Sequence, residues 1–118
     1  MADDVDVLLV IPDRRLRAFA LAELMEQGYE VMAVPRARHA RALLRAGVSP
    51  RLVIVDLVGL AENGDALRDL LGDSPERLLV LVGALERQEV AQLPPCRVLG
   101  RPFTVGQLVE RVQRLLGS

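Results

Sequence analysis

The sequence predicts an α/β fold in which a parallel β-sheet is covered by helices on both faces. Five short aliphatic segments alternate with five segments of helical periodicity along the 118 residues. The aliphatic segments are nearly continuous in apolar residues, which is typical of parallel strands that are buried on both faces. No linker, repeat or low-complexity tract divides the chain. We therefore expect residues 1–118 to form a single doubly wound domain of five strands and five helices.

The five predicted strands are defined by their aliphatic composition and by the residues that end them. The first is the run VDVLLVI, and the third ends in a carboxylate. Prolines mark two other boundaries, because proline cannot donate a hydrogen bond to a strand ladder. In chain order, the predicted strands are Val5–Ile11, Tyr29–Val34, Arg51–Asp56, Leu78–Val82 and Cys96–Leu99.

Apolar residues at helical spacing mark the segments between the strands. The first helix places Leu16, Phe19, Ala20 and Leu24 on one predicted buried face, and Gly28 provides its C-cap. The last helix begins with a capping box, Thr104-x-x-Gln107. The predicted helices cover residues 14–27, 36–47, 63–72 and 85–93, followed by a last helix with the apolar stripe Val105, Leu108, Val109, Val112, Leu115 and Leu116.

The composition is that of a folded domain without a charge that attracts nucleic acid or anionic membrane. Apolar residues make up 51% of the chain and the net charge is −1. No apolar run approaches the roughly 20 residues of a membrane span. The first residues are acidic, unlike the start of a signal peptide, so we expect a cytoplasmic protein with no membrane partner.

The composition also excludes some chemistry. All 15 basic residues are arginine, which excludes lysine-dependent catalysis. The single cysteine, Cys96, excludes an internal disulfide.

One segment of the chain is locally basic. It contains Arg36, Arg38, His39, Arg41, Arg45 and Arg51 and no acidic residue. Three of these arginines fall on one face of the second predicted helix, which we interpret as a solvated surface rather than a docking patch. Because the net charge is not positive and no aromatic residues are interleaved, nucleic acid is not an expected partner.

Polar and charged residues follow the predicted strands at the ends where parallel sheets bind ligands. Asp13, Asp56, Gly83 and Arg101 occupy these positions. Two carboxylates at one edge of a sheet suit a divalent cation such as Mg²⁺. The other reading is that Asp13 caps the first helix and Asp56 caps a loop. No G-x-G-x-x-G motif follows the first strand, and no Ser/His/Asp or Cys/His set suggests covalent hydrolysis.

The order and spacing of several motifs resemble the receiver domain of bacterial two-component response regulators. VIVDL places Asp56 at the phosphoacceptor position, and the following segment, DLVGLAENG, is similar to the loop that the family carries there. LLVLVGA resembles the fourth strand, and Gly100-Arg-Pro-Phe103 resembles the family's K-P-F signature. The resemblance implies a flavodoxin-like sheet in the order 2-1-3-4-5. It also implies that Asp13, Asp56 and the Val58 carbonyl would hold Mg²⁺ while Asp56 accepts a phosphoryl group.

Several positions depart from the receiver pattern. Receivers carry two adjacent acids after the first strand, whereas here Pro12 precedes Asp13. The phosphoryl-contact positions are Gly83, in place of serine or threonine, and Arg101, in place of lysine. The aromatic switch position aligns with Val98. Because these positions would sense and relay phosphorylation, their loss predicts a pseudo-receiver.

We therefore expect a signalling module that binds protein partners independently of phosphorylation and is not an enzyme. It is expected to require no cofactor and to bind Mg²⁺ weakly at most. The alternative is a phosphorylatable receiver, in which Asp56 accepts a phosphoryl group from a histidine kinase in the presence of Mg²⁺. Residues 84–118 are the candidate partner surface, on a monomer or a homodimer.

Two local features are also predicted at the start of the K-P-F-like segment. The Arg101–Pro102 bond is expected to be cis, because the bond that it resembles is cis in receivers. The guanidinium of Arg101 is expected to pair with Asp56 or Asp13, because two carboxylates at one edge repel each other and a long cation can neutralise one of them. The alternative is that Arg101 points to solvent.

Overall fold

The structure, a computed structural model, describes residues 3–60, 75–87, 90 and 97–117. Within these residues it contains five strands, three α-helices and one 3₁₀ turn at Pro75–Arg77. The elements are β1 (Asp3–Val10), α1 (Arg14–Glu26), β2 (Val31–Val34), α2 (Ala37–Arg45), β3 (Val48–Asp56), β4 (Leu78–Val82), β5 (Val98–Gly100) and α3 (Val105–Leu116).

All five strands form one parallel sheet in the order β2-β1-β3-β4-β5, which confirms the predicted topology. Strand β1 pairs with β2 and β3, and Val10 lies opposite both Val34 and Val55. Asp56 at the end of β3 lies opposite Leu81 of β4, which in turn lies opposite Leu99 of β5. This register brings the end of β3 close to the residues that follow β5.

The sheet is buried on both faces, as its continuous aliphatic strands predict. Alternate residues of β1 point to opposite sides, so that Val7 and Leu9 pack with α1 and α3 while Leu8 and Val10 pack with α2. All four side chains are fully buried. The two cores therefore fix the positions at which the strands end.

Four strands differ from their predicted bounds by one to three residues. β1 covers Asp3–Val10 rather than Val5–Ile11, and β2 begins at Val31 rather than at Tyr29. β3 begins at Val48, three residues before the predicted start at Arg51, and includes Pro50. Pro50 lies opposite Val5 of β1, whereas the pairing with β4 starts only at Val53. The missing N–H of proline therefore interrupts no β3–β4 hydrogen bond. β5 covers Val98–Gly100 rather than Cys96–Leu99, and Cys96 lies outside the described residues.

The ends of α1 and α3 confirm the predicted caps. Gly28 has a φ of +95°, and the N–H groups of Gly28 and Tyr29 donate to the carbonyls of Met25 and Leu24. This is the Schellman arrangement that glycine favours at the end of a helix. At the start of α3, Thr104 and Gln107 form both hydrogen bonds of the capping box.

One residue of the predicted buried face of α1 is exposed to solvent in the structure. Phe19 is 64% exposed, whereas Ala20 and Leu24 are fully buried. At about 100° of rotation per residue, Phe19 lies about 140° around the helix from Leu24, so it cannot share the face that contacts the sheet. The assignment of Phe19 to the core is therefore wrong.

The two remaining predicted helices fall wholly or partly outside the described residues. The predicted helix at residues 63–72 lies outside them. Of the predicted helix at 85–93, residues 84–87 form a turn, and residues 88, 89 and 91–93 lie outside the described part of the chain. None of the described helices has the length and apolar character needed to cross a bilayer.

Strand β1 should carry much of the stability of the fold. Leu9 is fully buried in β1, so Leu9→Ala should lower the free energy of unfolding by about 2–5 kcal/mol through lost burial and a residual cavity. Leu85 is 92% exposed and supplies a matched control, because Leu85→Ala should change stability by less than about 0.5 kcal/mol. Urea denaturation of both variants measures the difference, and equal losses would contradict the assignment of this core.

Candidate functional site

The candidate site lies at the carboxyl ends of β3, β4 and β5. Asp56 ends β3 and is fully buried. On either side of β4, the N–H of Leu57 donates to the carbonyl of Leu81 at 3.0 Å, and the N–H of Arg101 donates to the carbonyl of Val82 at 2.9 Å. Strand β4 therefore holds the backbones of the acidic and basic residues in a fixed relation.

The Asp56 carboxylate accepts three hydrogen bonds. Arg101 donates from Nη1 to Oδ1 at 3.0 Å and from Nη2 to Oδ2 at 2.6 Å, and the Val58 N–H donates to Oδ1 at 3.1 Å. A bidentate arginine–carboxylate pair is short, directional and charge-assisted. No buried side-chain nitrogen or oxygen among the described residues lacks a hydrogen-bond partner. The burial of the Asp56 charge is therefore compensated by a second charge and by a backbone donor.

Arg101 connects this carboxylate to the protein surface. Its side chain is 30% exposed, and its guanidinium carbon lies 5.2 Å from the centre of the Phe103 ring. This distance lies within the range of a cation–π contact. The Arg101–Pro102 bond is cis, as predicted. Of the two carboxylates considered in the sequence, the structure pairs Arg101 with Asp56, and the alternative of a solvent-directed arginine is wrong.

Asp13 follows β1 at the same edge of the sheet but has a different role in the structure. It is exposed, and its Oδ1 accepts the N–H of Leu16 at 2.9 Å as the N-cap of α1. This is the capping function that the sequence left as one of two readings. The carboxylates of Asp13 and Asp56 are thus engaged by different partners.

The two predicted carboxylate ligands of a divalent cation are engaged by other groups in this arrangement. One oxygen of Asp13 caps α1, and both oxygens of Asp56 bind the positively charged Arg101. In the described part of the chain, no group of three His, Cys, Asp or Glu side chains is placed to hold a metal ion. A cation at Asp56 would have to displace the guanidinium first.

Of the two other predicted site positions, Gly83 directly follows β4 and Val98 begins β5. A Cβ at Gly83 would lie 3.3 Å from Cγ2 of Val58 and 3.4 Å from Oε1 of Glu86, so a larger side chain would require these groups to move. Val98 is half-buried and packs with the core on the α2 side, and its carbonyl accepts a hydrogen bond from Arg111 at 3.0 Å. Glu86 is a neighbour of Gly83 that the sequence analysis missed, because only the turn after β4 brings it there.

Two further arginines hold the loops of the site. The sequence analysis did not single out Arg17, and it placed Arg36 only in the basic segment. Arg17 of α1 donates to the carbonyls of Ile11 and Pro12 at 2.8 and 3.2 Å, next to Asp13. Arg36 donates to the carbonyl of Gly59 at 3.4 Å, in the turn that follows Asp56. Gly59 has a φ of +80°, a value that few residues other than glycine adopt readily. Side chains from α1 and from the start of α2 therefore restrain the loops after β1 and β3.

Comparison with known proteins identifies the fold. No protein-family model matches the sequence. The chain is similar to a response regulator receiver protein from Sinorhizobium medicae, at 24% identity and a TM-score of 0.75 over 99% of this chain and 96% of that one. It is also similar to the PhyR response regulator receiver domain from Erythrobacter litoralis, at 21% identity and a TM-score of 0.72 over 98% and 92% of the two chains.

A third similar structure comes from a sensor protein. It is the receiver domain of a sensor histidine kinase from Pseudomonas aeruginosa, with a magnesium ion coordinated in its active site cleft. Its identity is 20%, its TM-score is 0.72, and the match covers 100% of both chains. Together with the strand order, these similarities show that the chain has the receiver fold.

The Arg101–Asp56 pair should contribute measurably to stability. Arg101→Ala leaves the Asp56 charge buried without its partner, and since Arg101 is partly exposed we expect a loss of about 2–3 kcal/mol in the free energy of unfolding. Arg101→Lys should lose less, because it keeps the charge but not the two parallel hydrogen bonds. Chemical denaturation at neutral pH measures these values.

Arg87 supplies the matched control for this prediction. It is exposed, and among the described residues its hydrogen bond is a long one of 3.5 Å to the carbonyl of Arg101, so Arg87→Ala should change stability by less than about 0.5 kcal/mol. Adding Asp56→Asn to Arg101→Ala should recover part of the loss, because no buried charge then remains. Strictly additive effects would show that the two side chains are not energetically coupled.

Proposed function

We propose that this chain is a signalling module with a receiver fold that binds protein partners independently of phosphorylation. The observation that carries the proposal is the bidentate contact of Arg101 with the fully buried Asp56 carboxylate. Arg101 acts as a permanent internal cation at the position where a receiver would bind Mg²⁺ and phosphate. The pocket is then held in one state.

Phosphorylation of Asp56 would require one of its oxygens to attack phosphorus while the donor's leaving group departs. Each oxygen accepts a hydrogen bond from Arg101, and Oδ1 also accepts the Val58 N–H. Attack would therefore begin with the loss of this charge pair, which should cost about 2–3 kcal/mol because Arg101 is partly exposed. This cost would add to the barrier of the chemical step. It supports a function that does not depend on phosphorylation of Asp56.

The groups that would sense a phosphoryl group are also missing from the sequence. Gly83 offers no hydroxyl, Pro12 stands where a second acid is expected, and Val98 is not aromatic. Glu86, whose Oε1 would lie 3.4 Å from a Cβ at Gly83, adds a negative charge beside the expected phosphoryl-contact position. An anion would meet repulsion there rather than a hydrogen-bond donor.

The proposed partner surface lies where Arg101 reaches the exterior. Phe103, which the guanidinium contacts, lines a groove of about 250 Å³ between β5 and α3, together with Leu99, Pro102 and Glu110. Arg111 also lines this groove and ties α3 to the carbonyl of Val98. A groove with an aromatic wall and charges of both signs suits a protein segment. A fixed Asp56–Arg101–Phe103 contact would keep this surface constant.

The second candidate function is a phosphorylatable receiver that takes its phosphoryl group from a histidine kinase. It is favoured by Asp56 itself, which ends β3, and by the similar Pseudomonas aeruginosa receiver domain that holds magnesium in its cleft. Weak Mg²⁺ binding is compatible with the receiver fold. In this alternative, Arg101 would have to leave Asp56 whenever the cation and the phosphoryl group enter.

The two functions can be separated by amide NMR of the chain titrated with Mg²⁺ and beryllofluoride, which imitates a phosphoryl group on a carboxylate. Phosphate independence predicts no change, or changes restricted to the neighbourhood of Asp13 and Asp56. Asp56→Asn supplies the control for binding elsewhere. Shifts that spread through residues 84–103 and disappear in Asp56→Asn would instead establish a working switch and reject the proposal.

Arg101→Ala should raise the affinity for Mg²⁺ by at least about tenfold, because a positive charge no longer occupies the carboxylate. Arg87→Ala removes the same charge from a neighbouring turn without freeing Asp56, so it should leave the affinity close to that of the wild type. Calorimetric titration of the three proteins measures the difference. Equal affinities in all three would show that Arg101 does not act as a substitute for the metal.

A further inference from the structure

Helix α1 carries an exposed apolar strip on the face that points away from the sheet. The strip consists of Ala18, Phe19, Ala22 and Met25, all of which are exposed. At about 100° per residue, these four positions fall within an arc of about 120°. Among the described residues, the large exposed apolar side chains are Phe19 at 64%, Met25 at 57% and Leu85 at 92%. Two of these three therefore lie on a single helix face.

A positive charge lies at the amino end of this strip and a negative charge at its carboxyl end, which is the unfavourable arrangement for the helix dipole. Exposed Arg15 lies in the first turn and exposed Glu26 ends α1, on the same arc as Phe19 and Ala22. The first turn contains no acidic residue and the last turn contains no basic residue. Because the amino end of a helix is its positive pole, both charges are placed unfavourably within an isolated α1.

We propose that this face of α1 binds α1 of a second copy of the chain in an antiparallel pair. With the two-fold axis between positions 20 and 21, Phe19 packs on Ala22 of the second copy, and Arg15 meets Glu26 of the second copy. Two-fold symmetry repeats each contact, so a large side chain meets a small one twice and a cation meets an anion twice.

The antiparallel arrangement also resolves the conflict between the charges and the helix dipole. Each Arg15 lies beside the carboxyl end of the opposite helix, which is that helix's negative pole, and each Glu26 lies beside the positive pole. Charges that are unfavourable within one α1 therefore become favourable across the pair. This reciprocity favours a second copy of the chain as the occupant, because a single sequence supplies both halves of every contact.

The size of the surface predicts a weak dimer. A helix of 13 residues is about 20 Å long, and one helix per subunit buries less than the roughly 800 Å² per partner of a standard interface. Association should therefore depend on concentration. The groove between β5 and α3 shares no residue with this strip, so the dimer and the proposed partner surface can be tested separately.

Analytical ultracentrifugation of the full chain, over roughly 10 µM to 1 mM, should show a growing dimer fraction. Arg15→Glu or Glu26→Arg places like charges opposite each other twice per dimer, so each should raise the Kd about tenfold. The double variant Arg15→Glu/Glu26→Arg restores opposite charges across the pair and should return the Kd to near the wild-type value.

Two controls separate loss of the interface from loss of the fold. Phe19→Ala should raise the Kd at least about tenfold, whereas Leu85→Ala removes an exposed leucine outside the strip and should leave it unchanged. Arg15→Glu puts an acid into the first turn of α1, so at low concentration its Tm should equal or exceed that of the wild type. A variant that weakens the dimer without lowering the Tm cannot be explained by misfolding.

Several results would overturn the inference. A wild-type chain that is monomeric at 1 mM would reject a second copy as the occupant and leave the strip to a different protein. A dimer that survives both single charge reversals would place the interface elsewhere. Single variants that weaken the dimer, with a double variant that fails to restore it, would reject the antiparallel pairing.

Discussion

A negative charge with no exposure to solvent is tolerated at Asp56 because an arginine from two strands away reaches it. Burial of a carboxylate costs several kcal/mol unless charge and hydrogen bonds compensate it. Here the register of β3, β4 and β5 sets the two backbones at a fixed separation, and the length of the guanidinium side chain spans the remainder. The end of β3, the turn after it and the segment after β5 meet at this contact.

Long arginine side chains donate hydrogen bonds to backbone carbonyls at several other points of the structure. Arg17, Arg36 and Arg111 each carry their donors to the backbone carbonyl of a loop or strand. A planar group with several donors can serve one or two acceptors at the end of a flexible stem. The loops that carry Asp13 and the turn after Asp56 are therefore supported by side chains from neighbouring helices. An edge supported in this way is suited to a surface that keeps one shape.

The sequence predicted the features that depend on periodicity and on local chemistry. Strand β4 and the capping box at Thr104 follow directly from the residue pattern, and the contact of Arg101 with a carboxylate follows from elementary electrostatics. What the pattern could not supply depends on tertiary placement. Phe19 is apolar like a core residue, but its position around the axis of α1 turns it away from the sheet. Glu86 lies close to Gly83 only because a turn follows β4. Resemblance to a family, rather than periodicity, supplied the strand order.

The cation at Asp56 is covalently part of the chain, and this changes what can control it. A dissolved metal ion occupies its site in proportion to its concentration, whereas a tethered group has a high and constant effective concentration. Under the proposed function, the occupancy of the pocket by Arg101 would be set by the polypeptide and not by the ionic content of the surroundings. If the surface beside Phe103 always presents the same shape, it carries information only through the number of copies present. Synthesis and degradation of the protein, rather than chemistry at its pocket, would then determine the strength of its signal.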